Sequence, residues 1–186
     1  MIHSFEKSLA QSHSCQDMPF WEDVYRKAFP SMIGMFNHRA DGQHQRNGID
    51  RSIVLDNSKQ VLIDEKVRGR NAITGKVYDD IALEYVSDDR RNEPGWVCKP
   101  LLCDYIAYAI APLGRCYLLP VVQLQEAWNQ NGDRWLSEAS RGEFRRIIVA
   151  KNRSWNTLSV NVTVSELFSA IGSCLRVEFE SCEVNE

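Results

Sequence analysis

Apolar and polar residues follow each other along this chain in a few clear patterns. In DMPFWEDVYRKAFPSM, residues 17–32, the apolar positions Phe20, Trp21, Val24, Tyr25, Ala28 and Phe29 recur at helical spacing. Asp17 fits an N-cap, Pro19 the first turn and Pro30 the stop, so an amphipathic helix is expected there. Residues 1 to about 16 are polar and without period, and predict a loosely held tail. The stretch SMIGMFNHRADGQHQRNG, rich in glycine and polar residues, reads as a connection.

Three strand patterns follow, over 49–55, 60–68 and roughly 80–87. The first two flank DNSK, whose Asp, Asn and Ser favour a tight turn, and so predict a hairpin. Beyond the charged loop DDRRNEPGW come two apolar runs, 103–110 and 116–120, separated by APLGR. VVQLQEAWNQNG predicts a helix with Val121, Leu124, Ala127 and Trp128 on one side and Gly132 past its end. RRIIVAKN and LSVNVTV predict strands, SELFSAIG a short helix opened by Ser165, and LRVEF a last strand. This order predicts an α/β fold, a mixed sheet flanked by helices with extra C-terminal strands.

Length and composition sharpen that picture. With 186 residues, 44% of them hydrophobic, the chain suits one compact domain with a real core and would be cramped as two. We therefore expect a single domain over 1–186, with a tail at 1–16, a core over 17–130 and a C-terminal extension over 131–186. No run approaches the roughly 18 apolar residues of a membrane-spanning helix, and the first residues lack the apolar centre of a secretory signal. A cytoplasmic protein without a membrane partner is expected. Six cysteines show no C-x-x-C pair and no zinc-type spacing with the four histidines, which predicts reduced, mostly buried thiols. The net charge of −3 argues against bulk electrostatic coating of nucleic acid, leaving only local basic clusters: Lys66, Arg68 and Arg70, Arg90 and Arg91, and Arg141, Arg145 and Arg146.

The hairpin carries the chemistry. A one-residue slip moves every side chain of a strand to the other face, so register decides whether its charges can cooperate. Pairing Asp56 with Gln60 puts Ile49, Ile53 and Leu55 on one face with Val61, Ile63 and Val67. The other face then carries Asp50, Ser52, Asp64, Lys66 and Arg68, with Asp50 opposite Lys66 and diagonal to Asp64. Two carboxylates that close repel unless a cation or proton lies between them, and a hard ion such as Mg²⁺ meets that need. Lys66 on the same face can orient a water or steady charge on a phosphate.

Asp50 followed fourteen residues later by Asp64-Glu65-Lys66 resembles the PD-(D/E)XK nuclease superfamily, the restriction-endonuclease-like fold. QRNGID resembles the Q-x-x-G-x-D form of its first motif, with Gln45 and Gly48 in the matching places and Ile49 where the family's signature has proline. The resemblance runs from about 17 to 130. The segment EYVSDDRRNEPGWVCKPLLCDYIAY is similar to the region after the core motif in phage-associated members. What the resemblance implies is a small mixed sheet after an N-terminal helix, with the motif on adjacent strands. Asp50 and Asp64 would bind Mg²⁺, with Mn²⁺ able to substitute, the Glu65 carbonyl would assist, and Lys66 would help activate the attacking water. A further acidic ligand on the first helix would be Glu22 or, less well placed, Asp23. Glu84 on the third strand could approach the same site.

The expected activity is Mg²⁺-dependent hydrolysis of phosphodiester bonds, in DNA rather than RNA, by a nuclease that could act as a homodimer. Arg68 and Arg70, continuing past Lys66, could grip phosphates, and Gln45 and Lys99 are further nucleic-acid contacts. Trp96, Asp104 and Tyr108 are candidates for substrate contact, Trp96 being equally suited to anchor a loop. The competing expectation is an inactive nuclease-like module that binds nucleic acid or a protein partner. His38 and His44 could bind a metal or suggest an H-N-H nuclease, whose remaining ligands are missing; two loop histidines are as readily solvated. GKVYDD has neither the glycine pattern nor the Lys-Ser/Thr of a phosphate loop, and no G-x-S-x-G elbow is present.

Overall fold

The computed structural model of the chain describes residues 17–38, 40–71, 74–143, 145–152 and 154–184. The tail expected over 1–16 lies outside the described residues. Among these, the element order is α1 (Phe20–Ala28), β1 (Met32–Asn37), α2 (Gly42–Arg46), β2 (Arg51–Leu55), β3 (Gln60–Arg68), β4 (Asp80–Asp88), β5 (Glu93–Pro94) and β6 (Tyr105–Ile110). A 3₁₀ turn at Ala111–Leu113 leads to β7 (Arg115–Pro120), α3 (Val121–Ser140), β8 (Ile147–Lys151), β9 (Asn156–Thr163), α4 (Val164–Ile171) and β10 (Leu175–Glu178). The chain is mixed α/β, as its pattern predicts.

Contacts group these elements into two compact units. One comprises the described residues through Asp79, Leu101–Val121 and the chain from Cys174; the other comprises Asp80–Pro100 and Val122–Ser173. The grouping cuts across the core and extension read from the sequence, because strands from both sides of residue 130 share each sheet.

The first unit holds a six-stranded mixed sheet in the order β1-β2-β3-β6-β7-β10. β3 and β6 run parallel, and the other neighbours antiparallel. β6 and β7 are near-continuous apolar runs because they are central and buried on both faces. On one face, Ile53, Ile63, Ala107, Ala109, Cys116, Leu118 and Val177 pack against Phe20, Trp21, Val24 and Tyr25 of α1. The helix earns its place through those four side chains, and Glu22–Arg26 and Asp23–Lys27 pairs lace its exposed side. Its N-cap is Pro19, without a side-chain hydrogen bond, rather than the expected Asp17. Gly114 takes a φ of 60° between the 3₁₀ turn and β7, where a Cβ would stand 2.4 Å from the Phe179 carbonyl oxygen.

Two elements lie where the sequence suggests only a connection. β1 escapes the period-2 pattern because its register shifts between Met32 and Gly34, and because edge positions Ile33 and Phe36 remain exposed. α2 is a five-residue helix without a buried side chain, defined by its Asp41 cap rather than by an apolar stripe.

The second unit is a four-stranded antiparallel sheet, β5-β4-β9-β8, with α3 and α4. α3 runs through Gly132 to Ser140 instead of ending there. Leu124, Ala127, Trp135 and Ala139 continue its buried stripe, and Gly132 lies against the Trp128 ring, so packing outweighs the ~1 kcal/mol helix penalty of glycine. Arg145 is buried beside Glu138 and Glu166, and the latter also accepts the Trp135 indole N–H. α4 opens on Thr163, whose hydroxyl accepts the Glu166 N–H, two residues before the expected Ser165.

Candidate functional site

The β2–β3 hairpin pairs with residue sums of 114, as in Arg51 with Ile63 and Ile53 with Val61, two less than the 116 expected. The turn is Asp56-Asn57-Ser58, with Ser58 at φ 64° and the Leu55 N–H bonded to the Lys59 carbonyl. A shift of two leaves the faces unchanged. Ile53, Leu55, Val61, Ile63 and Val67 still face α1, and Ser52, Asp64, Lys66 and Arg68 still alternate away from it.

The shift changes who meets Asp50. The regular ladder ends at Arg51: the Asp50 N–H bonds to the Ile63 carbonyl at 2.8 Å, and the Asp50 carboxylate accepts the Glu65 N–H at 2.8 Å. From there Asp50 stands opposite Asp64 in the register, and its charge helps to raise the Asp64 carboxyl. Lys66 Nζ lies 2.5 Å from Asp64 Oδ1. Asp64 is only 4% exposed, and burial pushes its carboxyl up to about 7, with Asp50 adding to the rise and Lys66 opposing it. Burial likewise raises the nearby Cys103 thiol to about 12, helped by the charge of Asp64.

Gly48 prepares this approach. Its φ of 69° turns the chain after α2, and a Cβ there would meet Leu101 at 2.6 Å. Asp104 splices β6 onto β3, its N–H reaching the Leu62 carbonyl and its Oδ2 accepting the Leu62 N–H, both at 2.7 Å. That backbone role engages the carboxylate suggested above for substrate contact. Tyr108, buried, pairs with Lys66 across the parallel strands and so shares the face of Asp64 and Lys66.

Glu65 points the other way. Its carboxylate accepts Arg51 Nε at 2.5 Å, Arg51 Nη2 at 3.2 Å and the Tyr25 hydroxyl at 2.7 Å, beneath α1. Burial raises the Glu65 carboxyl while Arg51 and Tyr25 draw it down, and burial beside that carboxylate holds the Tyr25 phenol well above its usual range. Neither Arg51 nor Tyr25 stands out in the hairpin motif. The signal was strand alternation, which puts Arg51 among Ile49 and Ile53, and Glu65 between Ile63 and Val67.

The other predicted residues scatter. Glu22 belongs to α1, bonds Arg26 and lines a recess with Met35 and Arg51, on the side of the sheet opposite Asp64. As a ligand beside Asp50 and Asp64 it is therefore corrected: α1 covers the wrong face. Arg68 is buried with its guanidinium 5.8 Å from the Tyr78 ring centre, and Arg70 is exposed in a two-pronged pair with Glu183. Gln45 sits on α2. Glu84, Trp96 and Lys99 belong to the second unit: Glu84 pairs with Ser159, Trp96 is buried, and the Lys99 carbonyl accepts a hydrogen bond from Gln125.

The donor set suits a hard divalent cation: a buried carboxylate, Asp64, faces a half-buried one, Asp50, an arrangement that favours a proton or cation between them, with an ammonium at hand. Comparison of the chain with protein-family models, curated proteins and solved structures finds no significant match.

Proposed function

We propose that this chain is a Mg²⁺-dependent nuclease of the restriction-endonuclease-like fold, hydrolysing phosphodiester bonds in DNA with water as nucleophile. The observation that carries the reading is that Asp50 and Asp64 stand opposite each other on one face of the hairpin, with Lys66 Nζ 2.5 Å from Asp64. A helix precedes these residues, and adjacent strands of a mixed sheet carry them, which supports the resemblance read from the motif.

Asp50 and Asp64 would hold the ion and the Glu65 carbonyl would assist. Bound Mg²⁺ lowers the pKa of a coordinated water and polarises the phosphate. Lys66, 32% exposed along its side chain, keeps its ammonium at the carboxylate pair, where it can donate to a phosphate oxygen as charge develops. Asp50 is held by the Glu65 N–H, so both acids keep their direction when the ion is exchanged. Mn²⁺ substitutes in this reading, and pairing of two copies would allow both strands of a duplex to be cut.

The test incubates the purified chain with plasmid, single-stranded DNA and RNA, with Mg²⁺, Mn²⁺ or chelator, beside Asp64→Ala and Lys66→Ala. Metal-dependent cleavage of DNA is expected, abolished by Asp64→Ala and reduced about 10²–10³-fold by Lys66→Ala. Equal behaviour of all three proteins would sink the enzyme and leave a binding module.

A further inference from the structure

A second group of metal-type donors stands at the end of β1. His38 continues the β1–β2 pairing, its N–H bonding the Asp50 carbonyl at 2.9 Å, and its Nε2 lies 2.6 Å from the hydroxyl of buried Ser52. Asp41 caps α2: Oδ1 accepts the Gln43 and His44 N–H groups at 2.9 and 3.2 Å, and Oδ2 meets His44 Nδ1 at 2.7 Å. The His38 and His44 rings stack at 4.0 Å and 5°. One donor atom from each of His38, Asp41 and His44 lies within 4.8 Å of the others.

Helix capping accounts for Asp41 and for the His44 contact, but it does not bring His38 onto His44. Stacking two imidazoles is tolerable when they are neutral, the form that binds metals. The Ser52 hydroxyl engages one ring nitrogen of His38 and thereby orients the ring, as outer partners of metal-bound histidines do. Ligands around a tetrahedral ion with bonds of ~2.0–2.2 Å stand roughly 3.4 Å apart, so on binding the widest donor separation, at most 4.8 Å, shortens and the stacked rings turn out of parallel to aim their in-plane lone pairs at the ion. Two imidazoles and a carboxylate favour a borderline first-row ion over Mg²⁺.

We propose that His38, Asp41 and His44 form a metal site for a Zn²⁺-type divalent ion, which ties the end of β1 to α2. The tie is mechanical. The Ile49 N–H bonds the His44 carbonyl, so the clipped segment is the one that delivers Asp50 to β2. The ion and its ligands are distinct from the Asp50–Asp64 pair, and the proposal stands whether or not that pair is catalytic.

The experiment titrates the full chain, without a histidine tag, with Co²⁺ and follows visible absorption, then displaces Co²⁺ with Zn²⁺. It uses an Asp50→Asn/Asp64→Asn background, which removes the other carboxylate pair. One Co²⁺ per chain with nitrogen-ligand bands is expected in the wild type and in this background. Asp41→Asn keeps a helix cap, and it and His44→Ala should each weaken binding by about 10²-fold or more. Absence of binding, binding unchanged in both variants, or binding lost only in the background would each overturn the site.

Discussion

The two faces of the β2–β3 hairpin carry charged pairs at the same spacing and treat them in opposite ways. Arg51 and Glu65 stand fourteen residues apart beneath α1, as Asp50 and Asp64 do on the other side. Beneath the helix, guanidinium, carboxylate and phenol complete one another, with side chains 6% and 2% exposed for Arg51 and Glu65. On the other face Asp64 lies opposite Asp50 with the Lys66 ammonium against it, and the Asp64 proton is held far more tightly than usual. A charge pair that satisfies itself fastens a helix to a sheet. A buried carboxylate set opposite another holds its proton instead.

The largest effect should come from breaking the satisfied side. Arg51→Ala leaves Glu65 buried without its main partner and is expected to cost about 3–5 kcal/mol in urea denaturation. Arg51→Met combined with Glu65→Leu should recover most of that loss, because apolar replacement of a whole buried pair is often neutral. If the double variant were as unstable as the single one, the pair would be contributing more than its own compensation.

The second prediction concerns the Asp50–Asp64 side, measured in chelator. Because the folded-state pKa of Asp64 is raised to about 7, its contribution favours folding fully below the usual carboxylate range and is lost as pH rises toward 7. Asp64→Asn should therefore be more stable than wild type at pH 8, by on the order of a few kcal/mol, with the gap closing toward pH 4. Adding Mg²⁺ at pH 8 should narrow the gap by stabilising only the wild type. A gap independent of pH would mean that Asp64 is not strained by its surroundings.

The smallest effect should follow Tyr25→Phe. Arg51 still holds Glu65, so the loss is expected near 1.5 kcal/mol, the low end for a hydrogen bond to a charged group. Calorimetric melting of the variant beside wild type measures it.

Much of this contrast was legible in the sequence, through alternation rather than register. Period-2 patterning put Asp50, Asp64 and Lys66 on one side even though the pairing sum differs by two, because an even shift preserves faces. Alternation did not reveal that Asp50 leaves the ladder to accept the Glu65 N–H, since a side chain replacing a backbone bond has no periodic signature. The Arg51–Glu65 pair follows from the same alternation, which places both side chains on the apolar face. β1 was hidden by its bulge and exposed edge, and α2 by its shortness. Gly132 misled because glycine reads as a helix end unless the ring it packs against is known. Glu22 misled for another reason: helical spacing tells which residues share a side of α1 but not which side of the sheet the helix covers.

Asp104 gives the assembly of this unit an order. Its two contacts to Leu62 span forty-two residues of chain and open the parallel seam between β3 and β6. A hairpin forms from neighbours within microseconds, whereas a distant parallel partner must wait for the intervening chain and for a costly loop to close. During synthesis the strand bearing Asp64 and Lys66 therefore gains its second neighbour only after residues beyond 104 have emerged. Until then one edge of it lies open, and the acidic pair has yet to be walled in.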